Sequence, residues 1–192
     1  MTVTNHDAYV LRENTGTSGV VQTARDAVAR LAHFEIPHLI VGGIAVQEHG
    51  YPRVTIDVDI VVPDVLEAVD FLTADLSGPF VRVGGREDAV EDRRNGVIVD
   101  FLPAGYVLRE GNRVPFPQPG KPSENLQLVT LEQLVSLKLD SWSGAKLRRL
   151  KDRTDVVELI LRRKLPRNLA VAPPVQQLYW DTWDGLKAEA ET

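Results

Sequence analysis

The run Ile56-Asp57-Val58-Asp59-Ile60-Val61-Val62 constrains this chain more than any other stretch. β-Branched residues dominate it, so it reads as a strand, and side chains on a strand alternate between two faces. Asp57 and Asp59 therefore share one face, while Ile56, Val58, Ile60 and Val62 line the other. Two carboxylates held side by side repel each other, and strands are poor places for Asp, so the pair costs stability unless a cation sits between them. A hard divalent ion suits that position, because it prefers carboxylate oxygens and commonly takes one or two of them together with a substrate phosphate. One short helix and a turn earlier stands Val41-Gly42-Gly43, at the end of the apolar run 37–41. Glycines at a strand-to-helix junction let backbone N–H groups and the helix N-terminus approach a phosphate.

The flanking segments supply a framework. Helical spacing of Val21, Ala24, Val28, Leu31 and Ala32 predicts an amphipathic helix over 20–34. A short helix is expected over 44–49, closed by Gly50, and another over 64–76 with Asp64 as its N-cap. Short strands are expected at 80–83 and 97–102, separated by a charged turn region, 84–95. The Pro- and Gly-rich segment 103–122 reads as a loop or hairpin leading out of the sheet. Thr130 and Gln133 form a capping-box pattern that opens a helix over 131–142. Further helices are expected over 152–164, stopped by Pro166, and within 175–190, where Leu178, Trp183 and Leu186 can dock. The expected organisation is a flexible tail (1–19), an α/β (α+β) core with a mixed central sheet (20–122), and a C-terminal helical region packed on it (123–192).

Composition narrows the function classes. With 43% hydrophobic and 26% charged residues, the chain is an ordinary globular one. Its formal net charge of −5 gives no overall attraction to nucleic acid or membrane, so a nucleic-acid site would have to be local. It contains no cysteine, which excludes thiolate nucleophiles, disulfides and Cys-based zinc sites. No stretch approaches the roughly 20 apolar residues that span a bilayer. The reading is a cytoplasmic protein with no membrane partner.

A third carboxylate, Asp100, ends the apolar run 97–102. Taken singly, each piece has a plain structural reading: the glycines as a steric necessity, Asp57-x-Asp59 as a solvated strand face, Asp100 as a strand terminator. Together they have the order that two-metal nucleotidyl transfer requires, a phosphate cradle followed by paired carboxylates and a later strand-borne acid. The sequence thereby resembles the nucleotidyltransferase superfold associated with DNA polymerase β. Its residues 41–62, including Arg53-x-Thr55-x-Asp57-x-Asp59, are similar to small bacterial and archaeal nucleotidyltransferase-like proteins, among them the toxins of AbiE-type toxin–antitoxin systems. The resemblance extends more weakly to the Lys138-bearing helix and to Lys151-Asp152-x-x-Asp155, covering about residues 20–161.

That resemblance implies an enzyme moving an NMP from an NTP to an acceptor, with Mg²⁺ (or Mn²⁺) as cofactor. Asp57, Asp59 and Asp100 would bind the metal, and Asp100 would also favour the nucleophile. Gly42 and Gly43 would cradle the triphosphate, with Arg53 or Thr55 touching phosphate. Lys138 would neutralise phosphate charge and Asp152 would orient that lysine or the base. Lys138 reads equally as a solvated helix lysine, and Asp152 and Asp155 as N-terminal helix charges. The basic run Lys146, Arg148, Arg149, Lys151, Arg153 is either a phosphate contact for an RNA acceptor or a solvated helix end. His6, His33, His38 and His49 have no metal-ligand spacing and carry no chemistry. The acceptor is open between a tRNA end, a protein side chain, a small antibiotic and a metabolite, and an antitoxin is a candidate partner. The alternative is a non-catalytic member of the same fold that binds a nucleotide or a protein. A metal nuclease of another fold is disfavoured, since no strand-borne Glu-x-Lys follows Asp100.

Overall fold

The computed structural model describes residues 19–190, so the expected tail lies outside the described residues except for Gly19. Helix α1 (Gly19–His33) leads into β1 (Leu39–Ile40), α2 (Gly42–Glu48), β2 (Asp57–Val62) and α3 (Val65–Thr73). Strands β3 (Phe80–Arg82), β4 (Ala89–Asp92) and β5 (Val97–Pro103) complete one mixed sheet in the order β1-β2-β5-β4-β3. Only β2 and β5 run parallel; the other pairs are antiparallel. Helices α4 (Leu131–Gly144), α5 (Leu150–Arg163) and α6 (Gln176–Ala190) follow, with a 3₁₀ turn at Pro173–Val175. The architecture is mixed α/β.

Local chemistry sets several of these boundaries. The Asp64 carboxylate accepts from the Glu67 N–H at 3.0 Å and starts α3. Thr130 and Gln133 close a reciprocal capping box on α4, each bonding the other's backbone N–H. Lys164, at φ 51°, ends α5 in the left-handed region.

Two expectations are corrected. Residues 84–95 are not turn throughout, because they contain β4. Its apolar content is only Ala89 and Val90, and its last residue, Asp92, is a fully buried carboxylate held by Thr23 Oγ at 2.7 Å and Arg94 Nε at 2.9 Å. A buried charge satisfied by a distant helix breaks the alternation that identifies a strand. Helix α2 also begins at Gly42 rather than at Ile44, so both glycines belong to its first turn.

The two faces of the sheet serve different purposes. Val58, Ile60 and Val62 of β2 and Val97, Val99 and Phe101 of β5 pack with α1 and α3 in one core. Val61 points the other way, into a second core with Leu134, Leu139, Val156 and Leu159 of α4 and α5. By the period of two along a strand, Asp57 and Asp59 share the face of Val61, and Asp100 shares that of Leu102. The sheet therefore turns its acidic face toward the C-terminal helices.

Candidate active site

In the parallel β2/β5 pair Asp59 stands directly beside Asp100, with Asp57 beside Ile98. All three carboxylates thus lie on one face of two adjacent strands, whose separation is about 4.8 Å in any sheet. The α2 glycines fit closely against them. Gly42 has φ +62°, and a Cβ placed on it would stand 1.7 Å from Asp59 Oδ2. A Cβ on Gly43 would stand 2.1 Å from Thr55 Oγ1. The Thr55 hydroxyl in turn donates to Asp57 Oδ1 at 3.0 Å. Any side chain at position 42 or 43 would have to displace this acidic pair or its support.

Burial, followed by the charge of Asp57, pushes the Asp59 carboxyl up to about 6 from an ordinary 3.8, against an opposing pull from Lys138. Asp100 is also raised by burial, with the Arg86 guanidinium working against the rise. Arg86 Nη2 lies 2.7 Å from Asp100 Oδ1, while its Nε donates to Asp88 Oδ1 at 2.9 Å. Neither Asp57 nor Asp59 forms an ion pair among the described residues. An all-oxygen acidic set in which Asp57 and Asp59 have no ion-pair partner among the described residues fits the chemistry of a hard divalent cation. The side chains do not converge as placed: among the described residues, no three His, Cys, Asp or Glu groups are arranged to hold a metal ion. Asp57, Asp59 and Asp100 are the residues that could do so.

A second charged cluster lies between α4 and α5. Lys138 Nζ contacts Asp152 Oδ1 at 2.8 Å and Asp155 Oδ2 at 2.9 Å. Arg53 grips the same Asp155 through Nε at 2.8 Å and Nη2 at 3.2 Å. Ser141 Oγ donates to Asp152 Oδ2 at 2.7 Å. These groups meet because Lys138 and Ser141, and likewise Asp152 and Asp155, are three residues apart and so share a helix face. The two buried acids hold Lys138 protonated against the cost of its burial, and, against desolvation, Lys138 draws the Asp152 carboxyl below its ordinary value. Asp152 therefore does contact Lys138. Arg53 and Lys138, expected to meet phosphate, are each already paired with a buried carboxylate.

A cleft opens between the acidic sheet face and α4. Gly42, Asp59, Lys138, Ser141, Arg149 and Asp152 form its polar side, and Leu102, Leu108, Val114, Phe116, Leu134 and Leu137 its apolar side. The hairpin-like segment closed by the bridge between Val107 and Pro115 supplies part of that apolar wall. The basic run divides here. Lys146 and Arg153 lie over the Trp142 ring, 5.6 and 5.0 Å from its centroid, whereas Arg149 lines the cleft. Lys151 also feels the site: burial and then Arg53 push its ammonium pKa down, and Asp57 opposes them. Arg86, Asp88 and Ser141 join the site without a sequence signal that marks them. Asp155 had one, its three-residue spacing from Asp152.

No protein-family model matches the chain, and no curated protein matches it in sequence. The solved structures similar to it in fold include two that cover most of the chain. One is an antigenic nucleotidyltransferase-like protein from Paracoccidioides brasiliensis, at 18% identity and a TM-score of 0.55, with 88% of each chain covered. The other is ANT(2'')-Ia in complex with adenylyl-2''-tobramycin, at 12% identity and a TM-score of 0.50, over 87% of this chain and 98% of that one. At such identities the likeness concerns architecture alone, and the architecture of this chain is that of the nucleotidyltransferase-like proteins.

Proposed function

We propose that the protein is a metal-dependent nucleotidyltransferase that moves an NMP from an NTP to an acceptor hydroxyl. The observation that carries this reading is the placement of Asp57, Asp59 and Asp100 on one face of adjacent parallel strands, with Gly42 pressed against Asp59. Asp57, Asp59 and Asp100 would hold Mg²⁺ or Mn²⁺, which would supply charge neutralisation at the reacting phosphates. Gly42 and Gly43 let the first turn of α2 pack directly on Asp59 and Thr55, so that its backbone would meet the triphosphate beside the acidic pair. Thr55 fixes the direction of Asp57 through its hydroxyl. Arg149 lines the cleft and would meet phosphate oxygens; Lys138 would act mainly by holding Asp152 and Asp155 in place. Asp100 accepts the proton of the acceptor hydroxyl as its oxygen bonds to the α-phosphorus and the bond to the β-phosphate oxygen breaks, releasing pyrophosphate.

A second reading rests on the engagement of Lys138 and Asp100 with internal partners. It makes the protein a non-catalytic nucleotide- or partner-binding member of the same fold. Incubation with labelled NTPs, Mg²⁺ and cell extract separates the two: label on a macromolecule or small acceptor supports transfer, and its absence with intact NTP binding supports the second reading. The acceptor classes, the cytosolic setting and a toxin role beside an antitoxin belong to the proposal. An adjacent gene for a small regulator would support the last. No helix among the described residues is long and apolar enough to cross a membrane.

A further inference from the structure

We propose that Arg86 is a built-in counter-ion of the third carboxylate, which a divalent cation must displace before Asp100 can act with Asp57 and Asp59. The inference rests on the reading that these three acids hold a cation. Asp100 differs from the other two in being paired already, with Arg86 Nη2 2.7 Å from its Oδ1. The guanidinium is bracketed, because its Nε donates to Asp88 at 2.9 Å, and Asp88 immediately precedes the residue that pairs with Asp100 across the sheet. One planar fork thus spans a carboxylate of β5 and one just ahead of β4, the geometry for which arginine is suited and lysine is not.

The contact is built to be released. Arg86 is 40% exposed, so water reaches the guanidinium and weakens the pair toward the strength of a surface salt bridge, although the Asp100 Oδ1 that it faces is buried. Arg86 lies at the tip of the β3–β4 hairpin, where Cβ atoms on Gly84 and Gly85 would meet nothing within 4 Å, leaving the tip room to move. Both features contrast with the Lys138 cluster, whose acids are buried and gripped from two sides. Guanidinium stays charged at every physiological pH, so deprotonation does not free Asp100, and a competing cation is what displaces Arg86.

The test is calorimetric titration of Mg²⁺, without nucleotide, into the wild type and Arg86→Gln. Loss of a competitor worth one exposed ion pair should tighten Mg²⁺ binding about two- to fivefold in R86Q. Equal or weaker binding in R86Q overturns this inference and leaves the cation site standing. No binding in either protein overturns both. A second readout needs only the folded wild type: the Arg86 Nε–H resonance, identified by its loss in R86K, should shift as Mg²⁺ is added. It should remain unmoved in D100N, where the ion pair is already gone. A wild-type resonance that stays fixed at saturating Mg²⁺ refutes the displacement.

Discussion

Asp59→Asn should make the metal-free protein more stable at neutral pH and less stable nowhere. The fold pushes the Asp59 carboxyl from an ordinary 3.8 up to about 6, chiefly by burial and then by the charge of Asp57. At about 1.36 kcal/mol per pH unit, the ionised side chain therefore costs the folded state about 3 kcal/mol at any pH well above 6. Asn removes the charge and keeps the shape, but also gives up the attraction to Lys138, so a net gain of about 1–3 kcal/mol is expected at pH 8. The raised pKa means that the folded form holds the proton more tightly than the unfolded one between 3.8 and 6. Wild-type stability from this group is accordingly fullest below about pH 4, falls as pH climbs to 6, and is level beyond. The gap between variant and wild type should open across that window. Thermal melts in EDTA at intervals from pH 4 to 8 measure it, at about 2–4 °C per kcal/mol for a chain of this size. Added Mg²⁺ at pH 8 should raise the wild-type Tm more than the variant's and narrow the gap. A gap that is flat from pH 4 to 7, or a variant that melts below the wild type at pH 8 without metal, would refute the claim that Asp59 carries uncompensated charge.

Two further outcomes follow from the helical half. Lys138→Met should cost about 3–5 kcal/mol in stability, because it strips a cation from two buried acids, and a loss below about 1 kcal/mol in denaturant titrations would return Lys138 to the role of a free phosphate ligand. Arg149→Glu should weaken binding of a non-hydrolysable NTP with Mg²⁺, whereas Lys146→Glu should not, since one lines the cleft and the other lies over Trp142. Equal affinities for the two variants in calorimetry would make the basic run one undivided solvated surface.

The alternation in 56–62 made β2 and the shared face of Asp57 and Asp59 legible, because a period of two is a local property that needs no partner. The helix caps at Asp64 and Thr130 were legible for the same reason, each bond spanning three residues. Strand β4 was not, since only Ala89 and Val90 are apolar in it, and its buried Asp92 is satisfied by Thr23 of α1 from 69 positions away. Arg86 was equally hidden: nothing within its turn distinguishes it from the other surface arginines until β4 and β5 pair and bring Asp100 beside it. Lys138 was legible as a neighbour of Asp152 but not as a fully committed charge, because Asp155 and Arg53 enter the cluster only when α5 packs on α4 and the loop before β2.

These differences of partner rank the acids by how much of their charge is left for an added cation. Asp152 and Asp155 are buried acids neutralised from within, by a lysine and an arginine that the fold cannot release without a cost of several kcal/mol. Asp100 is neutralised by an arginine in partial contact with water, which it can lose cheaply. Asp57 and Asp59 have no ion-pair partner among the described residues, and burial together with the charge of Asp57 raises the Asp59 pKa. Negative charge is thus left progressively less compensated from α5 toward β2. An external cation gains most where compensation is least, which is beside Asp59, where Gly42 lets the first turn of α2 pack directly on the carboxylate.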